Sequence, residues 1–214
     1  MNRKWLGPVL IAVAFSGTLV VYGDLPEQVP THWNWRGEVD DTMARFPGAF
    51  LSPLMMAGLW MLLLVLRRVD PRRKNYERFN ETFWVVLNVL VLGMVLLQAA
   101  VLGAALGVPY DMGRAVLFVV GILFMALGNY LPRLRSNWWM GIRTPWTLES
   151  EEVWRRTHRL GGRTFVIGGL ACMLGALLLP RESAGAIGFI ALTFAALVPA
   201  VYSYLVWRRE RREI

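Results

Sequence analysis

Six continuous apolar stretches, at residues 5–22, 50–66, 82–106, 113–131, 164–179 and 184–207, constrain this chain more than anything else in it. A bilayer core about 30 Å thick is crossed by ~20 helical residues, with a range of ~17–25. Four stretches fit comfortably. The runs 50–66 and 164–179 are short, so Arg67, Arg163 and Arg181 at their edges would have to snorkel toward the interface. Helices are expected over a barrel because the runs are continuous, not alternating. Composition agrees: 56% hydrophobic and 18% charged residues, with mean hydropathy +0.43, are too apolar for a soluble domain of 214 residues. The expected fold is an all-α integral membrane protein of six transmembrane helices, one membrane domain over 1–214. Arg3 and Lys4 before the first run imitate a signal peptide. The run is long and no A-x-A-like site follows, so a retained anchor is expected.

Basic residues fall on alternate connections. Of the 23 Lys and Arg, all but Arg36, Arg45, Arg114 and Arg181 lie at the N-terminus, in the 67–80 and 132–163 loops, or in the 208–212 tail. Both termini are therefore expected in the cytoplasm, by the positive-inside rule. The pI of about 10.4 follows from that topology; membrane lipids, not nucleic acid, are the expected partner of these charges. Residues 1–66 form an N-terminal helical hairpin with an outer loop at 23–49.

The spans carry no Asp, Glu, Lys or His at depth, where ion-coupled transport or intramembrane hydrolysis would need them. Asn88 and Gln98 either hydrogen-bond across a helix interface or line a substrate path. Gly168, Cys172 and Gly175 suggest close helix packing, repeated by Ala196 and Ala200 in the last run, where Pro199 is expected to kink the helix. The topology keeps His32 and His158 apart and leaves Cys172 without an intrachain partner. No phosphate loop, metal-ligand spacing or nucleophile–base pair is present, so no cofactor, no metal and no catalytic residue is expected.

Two connections stand out. The outer loop GDLPEQVPTHWNWRGEVDDTMARFPGA carries Asp24, Glu27, Glu38, Asp40 and Asp41 against Arg36 and Arg45. Pro26 and Pro30 favour extended backbone, and Asn34 to Gly37 suits a turn. Three readings stay open: interfacial anchoring by Trp33 and Trp35, metal binding around His32, or recognition of a cationic peptide by the acidic surface.

In the inner segment 128–163, Pro132 is expected to end the fourth helix and Pro145 to stop a helix running through 144. Ser150 is the expected N-cap of a short amphipathic interfacial helix near 150–160, with Glu151–Arg155 and Glu152–Arg156 pairs and a bend near Gly161–Gly162. Trp154 and His158 share one face of it. His158 is either a packed imidazole or a proton or ligand sensor, and Arg143 beside Gly141 could hold a lipid phosphate or a backbone carbonyl.

The run SNWWMGIRTPWTLESEEVWRRTHRLGGRTFVIGG resembles the signature of the SdpI family, bacterial integral membrane immunity proteins. Asn137, the Gly141-Ile142-Arg143-Thr144-Pro145 core, Thr147, Trp154, His158, Arg159 and Gly162 carry the resemblance. The stretch PTHWNWRGEVDD, through Pro30, His32, Asn34, Gly37 and Asp40, resembles a domain of unknown function often fused before it. The resemblance implies six spans with both ends inside a bacterial cytoplasmic (inner) membrane and a signature region at 113–179. It also implies resistance to a secreted peptide toxin and, in some members, a relay that holds a cytoplasmic transcriptional repressor at the membrane. The candidate binding residues are then His32, Asn34, Gly37 and Asp40 outside, with Asn137, Gly141, Arg143, Thr144, Trp154, His158 and Arg159 inside. Two alternatives remain: a small-molecule or lipid transporter around Asn88 and Gln98, or a membrane enzyme using Asn129, Asn137, Arg143 and His158.

Overall fold

The computed structural model describes residues 3–34 and 37–212; Trp35 and Arg36, which entered the outer-loop expectations, lie outside the described residues. Among the described residues, six helices are long and apolar enough to cross a membrane: α1 (Arg3–Val21), α2 (Arg45–Val69), α4 (Asn80–Ala105), α5 (Met112–Tyr130), α7 (Glu151–Leu178) and α8 (Arg181–Glu210). Two short helices, α3 (Asn75–Arg78) and α6 (Pro145–Glu149), lie in the connections. The chain is a multi-pass membrane protein. Its helices form two groups of three, α1 with α2 and α4, and α5 with α7 and α8, joined where α4 packs on α5.

Glycine sets the closest approach in the second group. A Cβ on Gly121 would lie 2.7 Å from the Gly169 carbonyl, and one on Gly169 would lie 2.5 Å from the Gly121 carbonyl. One heptad along, Gly128 and Gly162 repeat the reciprocal contact at 2.8 Å each way. The backbones of α5 and α7 therefore touch, a spacing that only a missing side chain permits. On the neighbouring face of α7, Gly168 meets the Ala191 carbonyl of α8, and the Thr164 hydroxyl donates to the Ala195 carbonyl at 3.1 Å. The small-residue face of α8 thus runs through Ala191 and Ala195. Ala196, expected there, is exposed: a shift of one residue turns a helical side chain by ~100°.

Among the described residues, one two-stranded antiparallel sheet interrupts the helices. Strands β1 (Gln28–Trp33) and β2 (Val39–Ala44) pair from Gln28–Ala44 to Trp33–Val39, with irregular register beyond Pro30, which has no N–H to give. The Gly37 amide donates to the Asn34 carbonyl at 2.7 Å, closing the turn expected at 34–37. Val29 is fully buried with Leu25, Ala49, Phe50 and Leu102, which fastens the hairpin to the ends of α2 and α4. Helix α2 separates this hairpin end from the α6 end by 25 residues, about 37 Å at a rise of ~1.5 Å per residue.

At the α6 end, the separate interfacial helix expected near 150–160 is replaced by the first turns of α7. That helix is unbroken from Glu151 through Gly161–Gly162 to Leu178, because those glycines sit in packed contacts instead of at a bend. Ser150 does cap it, accepting from the Val153 amide at 3.3 Å, with Glu151 and Glu152 in the first turn. Glu152 pairs with both Arg155 and Arg156 at 2.6 Å each. The expected Glu151–Arg155 pair is displaced, since Arg155 reaches Glu152 through two nitrogens at i,i+3. Arg67 is held among rings, 4.7 Å from the Phe83 centroid and 5.6 Å from Tyr76, while it donates to Asn80.

Candidate functional site

The chemistry-bearing residues gather at the two ends. At the hairpin end, β2 presents Val39, Asp40, Asp41 and Thr42 outward, and Asp24, Glu27 and Glu38 are also exposed. His32 Nδ1 lies 2.5 Å from the Asp40 carboxylate across the strands. The Asn34 amide donates to the Glu38 carboxylate at 3.0 Å and its carbonyl oxygen accepts the Glu38 N–H at 3.1 Å, bracing the turn. His32, Asn34, Gly37 and Asp40 thus belong to one hairpin, with His32 against Asp40, Asn34 against Glu38, and Gly37 against the Arg181 guanidinium of α8. Among the described residues no group of three His, Cys, Asp or Glu is placed to hold a metal ion.

At the α6 end, the segment between α5 and α7 is tied into a knot of buried polar groups. The α2–α3 connection supplies an anchor that the sequence reading did not single out, the buried carboxylate of Asp70. It accepts from the Arg72 N–H at 2.7 Å, the Tyr76 hydroxyl at 3.0 Å and the Trp138 N–H at 3.0 Å. Burial, and then the Asp70 carboxylate beside it, push the Tyr76 phenol well above the ordinary range. Arg72 donates to the Ser136 hydroxyl and the Leu148 carbonyl, and Asn75 donates to the Ser136 carbonyl at 2.8 Å. The only hint in the sequence was an acid followed by proline inside a basic loop.

Asn137 is fully buried and uses both ends of its amide. Its oxygen accepts the Trp139 and Met140 N–H groups at 2.9 and 2.7 Å, and its nitrogen donates to the Arg135 and Met140 carbonyls. That arrangement closes the 135–140 turn. Gly141 follows at φ 98°, a conformation that L side chains rarely adopt. Beneath it, His158 accepts the Ile142 N–H on Nε2 at 2.9 Å and donates Nδ1–H to the Trp154 carbonyl at 2.8 Å. Two backbone groups therefore fix one neutral tautomer. The His158 ring stacks on Trp154 at 4.0 Å, and the Trp154 indole donates to the Leu134 carbonyl.

Thr144 and Thr147 then form a reciprocal capping box that starts α6 at Pro145. Thr144 also meets Ser203 of α8 at 2.9 Å, and Glu149 receives the Trp207 indole and the Arg211 guanidinium. The last turns of α8 are thereby laced to the knot. Hydrogen bonding to Arg211 and then to Trp207 lowers the Glu149 carboxyl.

Of the inner candidates, Asn137, Gly141, Thr144, Trp154 and His158 converge in this knot. Arg143 lies at its rim and donates to the Trp138 carbonyl, and Arg159 points out of it from the exposed face of α7. The buried members hold backbone groups. Asn129 donates to the Met125 carbonyl of its own helix. Asn88 donates to the Arg3 carbonyl and Gln98 to Thr18 and the Ala49 carbonyl, so both bridge helix interfaces. A cavity of about 240 Å³ above the knot, between the two helix groups, is lined by Leu63, Val86, Leu127, Met140 and Phe165 among other apolar groups. It offers packing surface and no titratable side chain.

Comparison with known proteins falls on these two ends. Residues 133–203 match the SdpI/YfhL protein family, and residues 9–57 match a domain of unknown function, DUF1648. The first match spans the knot, α7 and most of α8; the second spans most of α1, the hairpin and the first half of α2. Over 170 residues, 79% of each chain, the protein is 24% identical to a Bacillus subtilis protein named immunity protein SdpI. No solved structure gives a significant match.

Proposed function

We propose that this chain is a non-catalytic immunity protein of a bacterial cytoplasmic membrane, protecting its cell against a secreted membrane-active peptide. The observation that carries this reading is the similarity to immunity protein SdpI along 79% of both chains. The positive-inside distribution puts both termini and the 132–163 knot in the cytoplasm and the 23–49 hairpin outside. There the exposed Asp24, Glu27, Glu38, Asp40 and Asp41 form an acidic surface that attracts a cationic peptide. His32, Asn34, Gly37 and Asp40 are the contact residues of this reading. The peptide is bound or excluded before it enters the bilayer.

The 1–66 hairpin unit would do the recognition and the 113–179 signature region the reporting. A shift of α8 against α7 would reach Thr144 and Glu149 through Ser203, Trp207 and Arg211, where a cytoplasmic repressor could read it. The test is survival of sensitive cells expressing the chain when challenged with the secreted peptide of a producing strain. Protection by the natural sequence and its loss in His32→Ala and Asp40→Ala is the expected result. No protection by the natural sequence would sink the immunity reading, and full protection by both variants would sink recognition by the hairpin. A small secreted peptide or a winged-helix repressor encoded beside this gene is the matching genomic observation.

A further inference from the structure

Between α5 and α7, on the surface away from α8, runs an open furrow of about 440 Å³ floored by Gly128, Pro132, Gly162 and Val166. The two glycines create it, since the backbone crossing at Gly128 and Gly162 leaves no side chains to fill the gap. Arg159 and Arg163 stand on its rim, one helical turn apart, and both are exposed. Neither makes a hydrogen bond, ion pair or ring contact among the described residues. Of the other five arginines in the 132–163 segment, Arg135 likewise lacks a side-chain partner, while Arg155 and Arg156 pair with Glu152, Arg143 donates to a carbonyl, and Arg133 lies over the Tyr130 ring at 5.0 Å.

Position makes the unpaired charges costly. From Thr164 to Leu178, α7 has 15 residues left, about 22 Å at a rise of ~1.5 Å each, against a hydrocarbon core of about 30 Å. The Arg163 guanidinium is therefore held at or just inside the hydrocarbon boundary, where a bare cation is unfavourable. An anion drawn down to that depth relieves the cost. Above the arginines, Ile167, Leu170 and Leu174 continue the same helix face, exposed and apolar. A polar anionic head and a long apolar tail in line are what the surface complements.

We propose that this furrow is a binding site for one anionic phospholipid, its phosphate held by Arg159 and Arg163 and an acyl chain lying along Ile167, Leu170 and Leu174. Two guanidinium groups favour a headgroup of net negative charge, because a zwitterionic lipid brings its own ammonium to its phosphate. The site does not depend on the immunity reading.

The test is native mass spectrometry of the full chain in detergent with dioleoyl phosphatidylglycerol or dioleoyl phosphatidylcholine added at equal concentration. Phosphatidylglycerol should be retained about thirtyfold more, and R159Q/R163Q should remove most of that preference, since each arginine beside an anionic headgroup contributes about fivefold. R208Q/R209Q, which removes two exposed charges from the last turn of α8, should leave the preference intact. I167W keeps both arginines and crowds the furrow, and should also lower phosphatidylglycerol retention. Equal retention of the two lipids, unchanged retention in R159Q/R163Q or I167W, or an equal loss in R208Q/R209Q would each overturn the site.

Discussion

Gly141 lies directly against His158: a Cβ on Gly141 would be 2.3 Å from the imidazole Nε2, the atom that accepts the Ile142 N–H at 2.9 Å. Two causes demand glycine here, the space and the φ of 98°. They can be separated, because Gly107 also has a positive φ, 80°, with nothing within 4 Å of its missing Cβ. Gly107→Ala should cost about 1 kcal/mol of stability from backbone strain alone. Gly141→Ala should cost about 3 kcal/mol, since the imidazole must also move and release a buried N–H. Thermal unfolding in detergent measures both, and equal losses would mean that the His158 contact carries no weight.

Tyr76 predicts an alkaline limit. Burial first, then Asp70, raises its phenol above the ordinary 10.0, so the fold favours the protonated form. For a group raised on folding, the stabilisation is complete below the unfolded value and is lost as pH climbs through the native one. The protein should therefore loosen above about pH 10 as Tyr76 is driven to ionise against Asp70. Tyr76→Phe should remove that share of the alkaline transition while losing the hydrogen bond at neutral pH. Burial also raises Tyr110, so the reading is the difference between the two proteins in phenolate absorbance and unfolding, not the total. Superimposable alkaline curves would refute the assignment.

The glycine crossing of α5 and α7 predicts unequal tolerance to alanine. Gly169→Ala places a Cβ 2.5 Å from the Gly121 carbonyl, backbone that cannot swing aside, and should cost about 3 kcal/mol or prevent accumulation. Gly58 of α2 has nothing within 4 Å, and Gly58→Ala should be neutral or slightly stabilising. Equal yields and melting temperatures for the two variants would show that the crossing is looser than these distances.

Several of these features were legible in the chain and others were not. The six spans, the Ser150 cap and the Trp154–His158 face are local patterns of hydropathy and i,i+4 spacing, so sequence was enough. The hairpin was hidden because only Val29 of β1 is fully buried, which leaves no clear alternation to read. Gly121, Gly128, Gly162 and Gly169 look like any membrane-helix glycines until two helices are brought together. Arg155 could reach Glu151 or Glu152 by spacing, and it joins Arg156 on Glu152. The buried Asp70 is the sharpest miss: its partners lie 68 residues away at Trp138 and within its own loop at Tyr76, a pairing no local pattern carries.

If the acidic hairpin attracts a cationic peptide, protection should depend on charge more than on shape. Glu38→Gln, Asp40→Asn and Asp41→Asn together keep the volumes and remove three negative charges from one exposed strand and its turn. Steering of this kind raises association rates by about tenfold or more and weakens as salt rises. The triple variant should therefore need less peptide for killing, and the gap from the natural sequence should close at high ionic strength. A gap that persists unchanged in salt would point to direct contacts instead of attraction.

Sidedness can be read chemically, because the chain has a single cysteine and Cys172 is fully buried. Gln28 opens β1 and Lys74 precedes α3, both exposed, at opposite ends of α2. An impermeant maleimide applied to intact cells should label Gln28→Cys, and should label Lys74→Cys only after the membrane is opened. The reasoning is that basic residues resist transfer across the membrane, and the 67–80 loop carries six of them against two at 23–49. A hairpin that stays unlabelled until permeabilisation would put the acidic face in the cytoplasm. The peptide would then have no surface to meet from outside, and the recognition half of the proposal would fail even if the fold stood unchanged.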